Sequence, residues 1–414
     1  MREKGAITAI TSARLPTYRE VMSVVSGATA GRWVAAVAGA VAVVVAASPT
    51  VSNLWPMGEP TRSAREVLAA ARSSSGVAHE GVVEVQGTLG LPDLPRLGDV
   101  AALLGGSTRA RVWWRSPTAW RVDRIDATGE SGTYAVPDGV RTWDFESGDV
   151  VQSVAVSSIR LPRVDDLLPP QATRRALAGV GRRDRLSELP SRRVAGRAAD
   201  GVRVVPADSS STIGHLDLYV DRDTGLPLSL LVVPRGGGVP ALRTTFVDVS
   251  TTRPSTSDVT PRTPPFTRVR VTDTPDLASA VDRYAPFALP VRLAGADRSR
   301  DLVGSGGSAT YGRGLARFAV LPLPSRTGRP ALAAAANGGG TTLEVGDNGE
   351  AVLVVTPLLN AVVATSRFQP ERDGRPHAHR RWYLVSGTVD AATLQAAAQD
   401  LVNDPPPFRS DVAR

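Results

Sequence analysis

Cysteine is absent from the 414 residues. That excludes disulfides, thiolate metal sites, cysteine nucleophiles and the acylated cysteine that anchors a bacterial lipoprotein. Lysine is almost absent too: of 48 basic residues only Lys4 is not arginine. A phosphate-binding P-loop and a Ser–Lys dyad in the body of the chain are therefore ruled out. Aromatic residues make up only 5% of the chain, whereas 39 Gly and 32 Pro supply the turns of a β-rich fold and its linkers. Apolar residues at 42% and charged residues at 21% match globular usage, which excludes a wholly disordered or collagen-like chain. The length suits two domains with extensions.

The formal charge is +8. Nucleic acid does not follow as a partner, because the arginines are spread along the chain. The densest pairs, Arg174-Arg175, Arg182-Arg183 and Arg192-Arg193, are interrupted by Asp184 and Glu188. They read as a solvated surface. Arginine in place of lysine, with abundant Ala, Val, Gly and Pro, fits a GC-rich genome.

Before residue 33 five cations (Arg2, Lys4, Arg14, Arg19, Arg32) face two carboxylates (Glu3, Glu20), a net +3. Fifteen uncharged residues follow, Trp33 to Ala47. As a helix they span only about 23 Å, short of the ~30 Å hydrocarbon layer. Extension to Trp55 reaches that length and places Trp33 and Trp55 as interfacial anchors. Two readings fit: a signal peptide cut after Val45-Ala46-Ala47, or an uncleaved anchor. The long basic segment favours the anchor. Residues 1–32 are then a cytoplasmic tail, 33–55 a single-pass transmembrane signal-anchor, and the rest extracytoplasmic.

A short helix is expected over 63–72, with Thr61 offering a capping hydroxyl and Val67, Leu68 and Ala71 as its apolar side. After Gly76 strands follow. Arg109-Ala-Arg-Val-Trp-Trp114 alternates, and Trp120-Arg-Val-Asp123 repeats the pattern. Pro137-Asp138-Gly139 turns between Thr133–Val136 and Val140–Phe145, which makes an antiparallel meander. A helical insert is expected over Leu167–Val180, then strands at Val202–Val205 and Leu216–Asp221 with a hairpin turning at Asp223-Thr-Gly225. The arm after it is apolar on both faces (Leu228, Leu230, Val232; Leu231, Val233). That predicts cover on both sides, by core and by helices or a greasy cavity. Residues 251–285 read as a polar, Pro-rich linker containing an amphipathic stretch, Asp276–Tyr284. A smaller domain is expected over 286–404, with strands at Leu315–Leu321 and near 351–355 and 381–386. It closes with a helix at Ala391–Leu401 capped by Asp390. A tail, 405–414, ends the chain.

No catalytic constellation emerges. His377-Ala-His379 has metal-ligand spacing on a strand, yet Arg372, Arg375, Arg380 and Arg381 surround it and repel a cation. Asp223-Thr-Gly225 is a fragment of the aspartic-protease signature, but no second copy exists to share its proton. Asp221-Arg-Asp223 fails as a calcium loop, since Gly225 comes one place early and no glutamate closes it. His215, Asp217 and Tyr219 share the face opposite Leu216, Leu218 and Val220 and read as solvated. The Gly clusters at 236–238, 304–307 and 338–340 lack pyrophosphate-binding spacing, and no Gly-x-Ser-x-Gly elbow is present. Neither an enzyme, a metal nor a cofactor is expected.

Several phrases resemble a known family. Trp114-Arg-Ser-Pro-Thr-Ala-Trp-Arg-Val-Asp123, followed by Asp138-Gly-Val-Arg-Thr-Trp-Asp-Phe145, is similar to the lipoprotein-carrier (LolA-like) fold. Residues 194–206 and 218–228 resemble later strands of RseB/MucB-type regulators of the sigma-E envelope-stress pathway. Residues 311–320 and 385–394 resemble the small C-terminal domain of that family. The resemblance spans roughly 62–404 and suits a membrane-anchored relative from a high-GC Gram-positive bacterium.

It implies an α+β chain: a curved antiparallel half-barrel with helices and an apolar cavity over 56–250, then a smaller α+β domain. It also implies a non-enzymatic extracytoplasmic regulator or sensor that binds a lipid or lipoprotein acyl chain and a membrane-protein partner such as an anti-sigma factor. The alternative is a LolA-like lipid or lipoprotein carrier at the cell envelope. Candidate cavity-lining residues are Val112, Trp114, Trp120, Val122, Leu218, Val220, Leu230 and Val232, each of which could equally be core.

Overall fold

The computed structural model describes residues 58–88, 104–126, 129–154, 162–261, 269–273, 287–299, 307–368, 371–372, 375–376 and 379–406. The expected anchor, its cytoplasmic tail, the stretch at 276–284, His377 and residues 407–414 lie outside them. Among the described residues no helix is long and apolar enough to cross a membrane.

Period-two alternation builds the larger sheet. Its strands are β1 (His79–Gly87), β2 (Ser107–Ser116), β3 (Ala119–Asp126), β4 (Gly129–Val136), β5 (Gly139–Asp144) and β6 (Val150–Val154), followed by β7 (Arg185–Val194), β8 (Arg197–Val205), β9 (Ile213–Asp221), β10 (Pro227–Pro234), β11 (Leu242–Ser250) and β12 (Val269–Asp273). They lie in the order β12-β6-β5-β4-β3-β2-β1-β11-β10-β9-β8-β7. Two meanders are thus joined where β11 returns to pair antiparallel with β1. Among the described strands of this sheet only β12 runs parallel to its neighbour, β6. It falls inside the expected linker, where Val269-Arg-Val271 alternates enough to extend the sheet. The turn expected at Asp223-Thr-Gly225 is present, with Gly225 at φ +74°, a conformation that side chains with a Cβ disfavour.

Two ten-residue helices, α1 (Ala64–Ser73) and α2 (Pro169–Ala178), cover one face of this sheet, here called the inner face. Helix α1 starts where a capping box allows it: Ser63 accepts from the Glu66 N–H, and the Glu66 carboxylate accepts from the Ser63 N–H. Thr61, expected as the cap, instead donates its hydroxyl to Asp200 at 3.0 Å. The local Ser-x-x-Glu spacing outcompetes it. Val67, Leu68 and Ala71 are buried as expected, and Val67 and Leu68 contribute about 1.5–3 kcal/mol each. Helix α2 begins with Pro169 and Pro170, whose missing N–H groups cost nothing in a first turn. A 3-10 turn, Val164–Leu167, precedes it, held to the sheet where the Thr244 hydroxyl donates to the Leu167 carbonyl at 2.6 Å.

The second cover expected for β10 is not helical. Both α1 and α2 pack on the Leu218/Leu230 side. On the Tyr219/Leu231 side arginines do the covering: the Arg192 guanidinium lies 3.4 Å from the centre of the Tyr219 ring. Arg203 makes a two-pronged pair with Asp217 at 2.6 and 2.7 Å. The Arg203 head stays partly in water, whereas the Arg192 head is buried against the ring.

A single helical turn, α3 (Thr256–Val259), packs against β2 and β3. Beyond it a two-stranded ribbon, β13 (Arg292–Leu293) with β14 (Ala296–Asp297), leads to a six-stranded sheet. The strands of that sheet are β15 (Ala309–Arg313), β16 (Ala316–Leu323), β17 (Thr341–Leu343), β18 (Gly349–Val354), β19 (Asn360–Phe368) and, after the ribbon β20 (Glu371–Arg372) and β21 (Arg375–Pro376), β22 (His379–Gly387). Their order is β15-β16-β22-β19-β18-β17. Helix α4 (Ser325–Asn337) covers one face and α5 (Ala391–Asn403) the other. Asp390 caps α5 through the Thr393 N–H at 2.9 Å, as expected. Within the unit Trp55–Arg414 the two sheets meet: the Thr212 N–H donates to the Thr388 carbonyl at 3.1 Å, and the Asp390 N–H to Ser210 at 2.8 Å.

Candidate functional site

Cross-strand register decides which candidate residues come together. Gly81, Val112 and Val122 stand in one row across β1, β2 and β3, and His79, Trp114 and Trp120 in the next. In the other meander Val202, Leu218, Leu230 and Thr244 form a row across β8 to β11, beside Val204, Leu216, Val232 and Leu242. All eight candidates are buried on the inner face. They do not form one lining. Val112, Trp114, Trp120 and Val122 pack with Val83, Phe246, Leu167 and Leu168. Leu218, Val220, Leu230 and Val232 pack beneath α1 and α2, against Val67, Leu68, Ala172 and Leu177.

The two groups differ in what reaches them. A cleft of about 880 Å3 opens between α1 and the start of β7. Leu68, Val180 and Leu186 supply its apolar walls, and Arg65, Arg72 and Arg182 stand among them. Leu68 also belongs to the cluster holding Leu218, Val220, Leu230 and Val232, so the cleft abuts that second group. Arg72 donates to the Leu177 and Val180 carbonyls. Asp184 accepts from the backbone of Gly181 and Ala207, and Glu188 is exposed on β7. Three cations against two carboxylates leave the cleft at net +1.

One charged network fixes this end of the sheet. Asp200 is fully buried and accepts from Arg62 Nε at 2.9 Å, Arg222 Nε at 2.9 Å and the Ser191 hydroxyl at 2.8 Å. Burial raises its pKa, but the bonds from Arg62, Ser191, Arg222 and the Thr61 N–H outweigh burial and hold it at about 2. Asp221, also buried, is clamped by Arg197 at 2.9 Å twice and by Thr224. The protease-like fragment is therefore a pinned hairpin turn, with the Asp223 side chain 83% exposed. His215, expected as solvated, is half-buried and lies 3.7 Å from Asp217.

Sequence reasoning missed His79. Only 1% exposed, it stacks on Trp114 at 6.1 Å, and Trp114 stacks on Trp120 at 5.7 Å. Phe246 meets the imidazole edge-on at 5.7 Å. These partners come from β2, β3 and β11, so no local signal marks the residue.

No family model matches the chain, and no curated relative does. Among solved structures it is similar to the complex of MucA and MucB from Pseudomonas aeruginosa, at 20% identity over 81% of this chain and 96% of that one, with a TM-score of 0.42. It is similar also to MucB alone, at 20% identity over the same shares, with a TM-score of 0.41. A LolA-superfamily protein from Nitrosomonas europaea is similar at 13% identity over 49% of this chain and 99% of that one, with a TM-score of 0.22.

Proposed function

We propose that the chain is a non-enzymatic, membrane-anchored extracytoplasmic regulator that senses an amphiphile with an anionic head and an acyl tail, and that also engages a membrane-protein partner, of which an anti-sigma factor is the type implied by the sequence resemblance. The observation that carries the ligand half is the cleft between α1 and β7. It joins an arginine-bearing wall (Arg65, Arg72, Arg182) to the apolar cluster behind Leu68. Guanidinium groups suit a phosphate or carboxylate head. Each methylene buried against Leu218, Val220, Leu230 and Val232 adds about 0.8 kcal/mol. Helix α1 must shift to admit a tail, because those residues are already packed.

Native mass spectrometry of the full-length chain released from nanodiscs of anionic and zwitterionic lipid tests this. Adducts confined to the anionic lipid, and reduced at least tenfold by the double substitution Arg65→Glu, Arg182→Glu in a protein of unchanged circular dichroism, support the reading. Persistent absence of adducts sinks lipid sensing and leaves the partner half, to be pursued by crosslinking at the membrane. A carrier would exchange its adduct between two vesicle populations, whereas an anchored sensor would not.

A further inference from the structure

A second, smaller cavity lies between α1, α2 and the inner face, with a volume of about 20 Å3. It is lined by His79 and Trp114 of the sheet, by Ala71, Ser74 and Val77 at the end of α1, and by Gln171 of α2, with Arg72 and Arg174 among the remaining residues. Two of these side chains bring buried polar atoms that have no hydrogen-bond partner among the described residues: His79 Nε2 and Gln171 Oε1. His79 is 1% exposed and Gln171 5%. Neither atom can reach solvent, and a lone buried acceptor is costly.

The chemistry of the occupant follows by elimination. His79 Nδ1 lies 2.9 Å from the Val77 carbonyl oxygen, so Nδ1 carries the proton and Nε2 presents a lone pair. The cavity therefore offers two acceptors, an imine nitrogen and an amide oxygen. An anion is repelled by both at contact, and the two guanidiniums do not turn inward to offset this: Arg72 donates to the Leu177 and Val180 carbonyls and Arg174 is exposed. A metal ion or an ammonium would sit beside the Arg72 and Arg174 side chains, and no carboxylate lines the cavity to offset that repulsion. A hydroxyl with one proton satisfies only one acceptor. What remains is a small, neutral, two-proton donor, and the volume accommodates one water molecule.

We propose that this cavity is a binding site for a single buried water, which donates one proton to His79 Nε2 and the other to Gln171 Oε1 and so latches α2 to β1. The latch stands independently of the ligand reading. It would fix the helix over the inner face by a group that neither partner supplies itself.

The test is a long-range 1H–15N correlation spectrum of the full-length chain in detergent, labelled at its four histidines and assigned with His79→Phe. The expected result is the Nδ1–H tautomer with the Nε2 resonance displaced toward that of a hydrogen-bonded acceptor, and a further small shift on transfer from H2O to D2O. Gln171→Met should alter that Nε2 resonance. An Nε2 resonance at the position of a free acceptor, unmoved by solvent isotope, overturns the proposal. Thermal unfolding gives a second readout. With a shared water, His79→Phe and Gln171→Met each lower Tm by about 2–4 °C, and the double variant falls no further than the more damaging single one. If either substitution raises Tm, or if the two losses add, no water is shared and the proposal fails.

Discussion

The two sheets of this chain solve the same problem in different ways. The six-stranded sheet is sandwiched: α5 packs Leu394, Ala397 and Leu401 on the face of Val362, Ala364 and Val385, while α4 packs Ala335 on the face of Val352 and Val363. The twelve-stranded sheet carries α1 and α2 on its inner face only. Its outer face is furnished instead with arginines lying on rings. Arg121 is 4.7 Å from the Trp113 ring and 5.1 Å from Tyr134, and Arg192 covers Tyr219. Strands buried on two faces run apolar without break, as in Ala351-Val-Leu-Val354, and strands buried on one face alternate, as in Arg109-Ala-Arg-Val112. The described cleft sits where a short helix meets a sheet margin, in the one-sided layer.

The largest expected effect concerns the charged clamp that fastens the approach to α1. Asp200→Asn leaves Arg62 and Arg222 facing a neutral amide in a buried position, and loss of one partner from such a network costs about 3–5 kcal/mol. Urea unfolding should show the loss at pH 7. Because the folded pKa of about 2 lies below the usual 3.8, the wild-type contribution is present above pH 3.8 and is lost as pH falls toward 2. The Asn variant should lack that acid-sensitive component. An unchanged midpoint in Asp200→Asn would show that α1 is held by its apolar stripe alone.

His79 gives the next largest effect, of opposite chemistry. Burial, opposed by the bond to Val77, lowers its pKa from 6.5 to about 4. The unfolded chain therefore takes up the proton first as pH falls. Stability is unaffected above pH 6.5 and declines by about 3 kcal/mol on the way down to pH 4. In His79→Phe that slope should disappear while the acid loss due to Asp200 remains, which separates the two halves of the inner face by pH alone.

Breaking the sandwich tests the comparison from the other side. Gly328 lets α4 approach β22 so closely that an added Cβ would lie 2.5 Å from Trp382 Cβ. Both atoms belong to rigid parts of the fold, so Gly328→Ala should cost about 1–3 kcal/mol through displacement of α4. Hydrogen exchange should rise in β18, β19 and β22 and stay unchanged in β8 to β10. Equal loosening of both sheets would mean that they unfold as one cooperative layer.

Much of this was legible in the chain. Alternation marked β2 and β3, Asp-Thr-Gly marked the β9–β10 turn, and Asp390 marked α5. Helix α4 was not, because Gly328 and Pro330 stand within Ser325–Asn337 and its alanines give a weak apolar stripe. The eight residues offered as cavity lining are buried on the inner face, yet alternation shows only which face a residue joins. It does not show that α1 and α2 cap one set while Leu167 and Leu168 fill the other. The cleft arises from Arg65 and Leu68 on a helix meeting Arg182 and Leu186 more than a hundred residues later, a juxtaposition made by the return of β7 to the sheet margin.

The same limit explains the arginines on the outer face, and they supply the smallest and most specific test. If Arg192 covers Tyr219 mainly as a hydrocarbon stem, Arg192→Met retains the cover and stability should change by less than about 0.5 kcal/mol. If the guanidinium interacts with the ring face, loss of charge should cost about 0.5–1 kcal/mol even though the stem is preserved. The geometry, with the guanidinium carbon 3.4 Å from the ring centre, favours the second outcome. A double-mutant cycle with Tyr219→Leu isolates the term, since each single change leaves the β8–β9–β10 register in place. A coupling near zero would mean that the outer face is only solvated, and that twelve strands can be held by inner-face packing without a second cover.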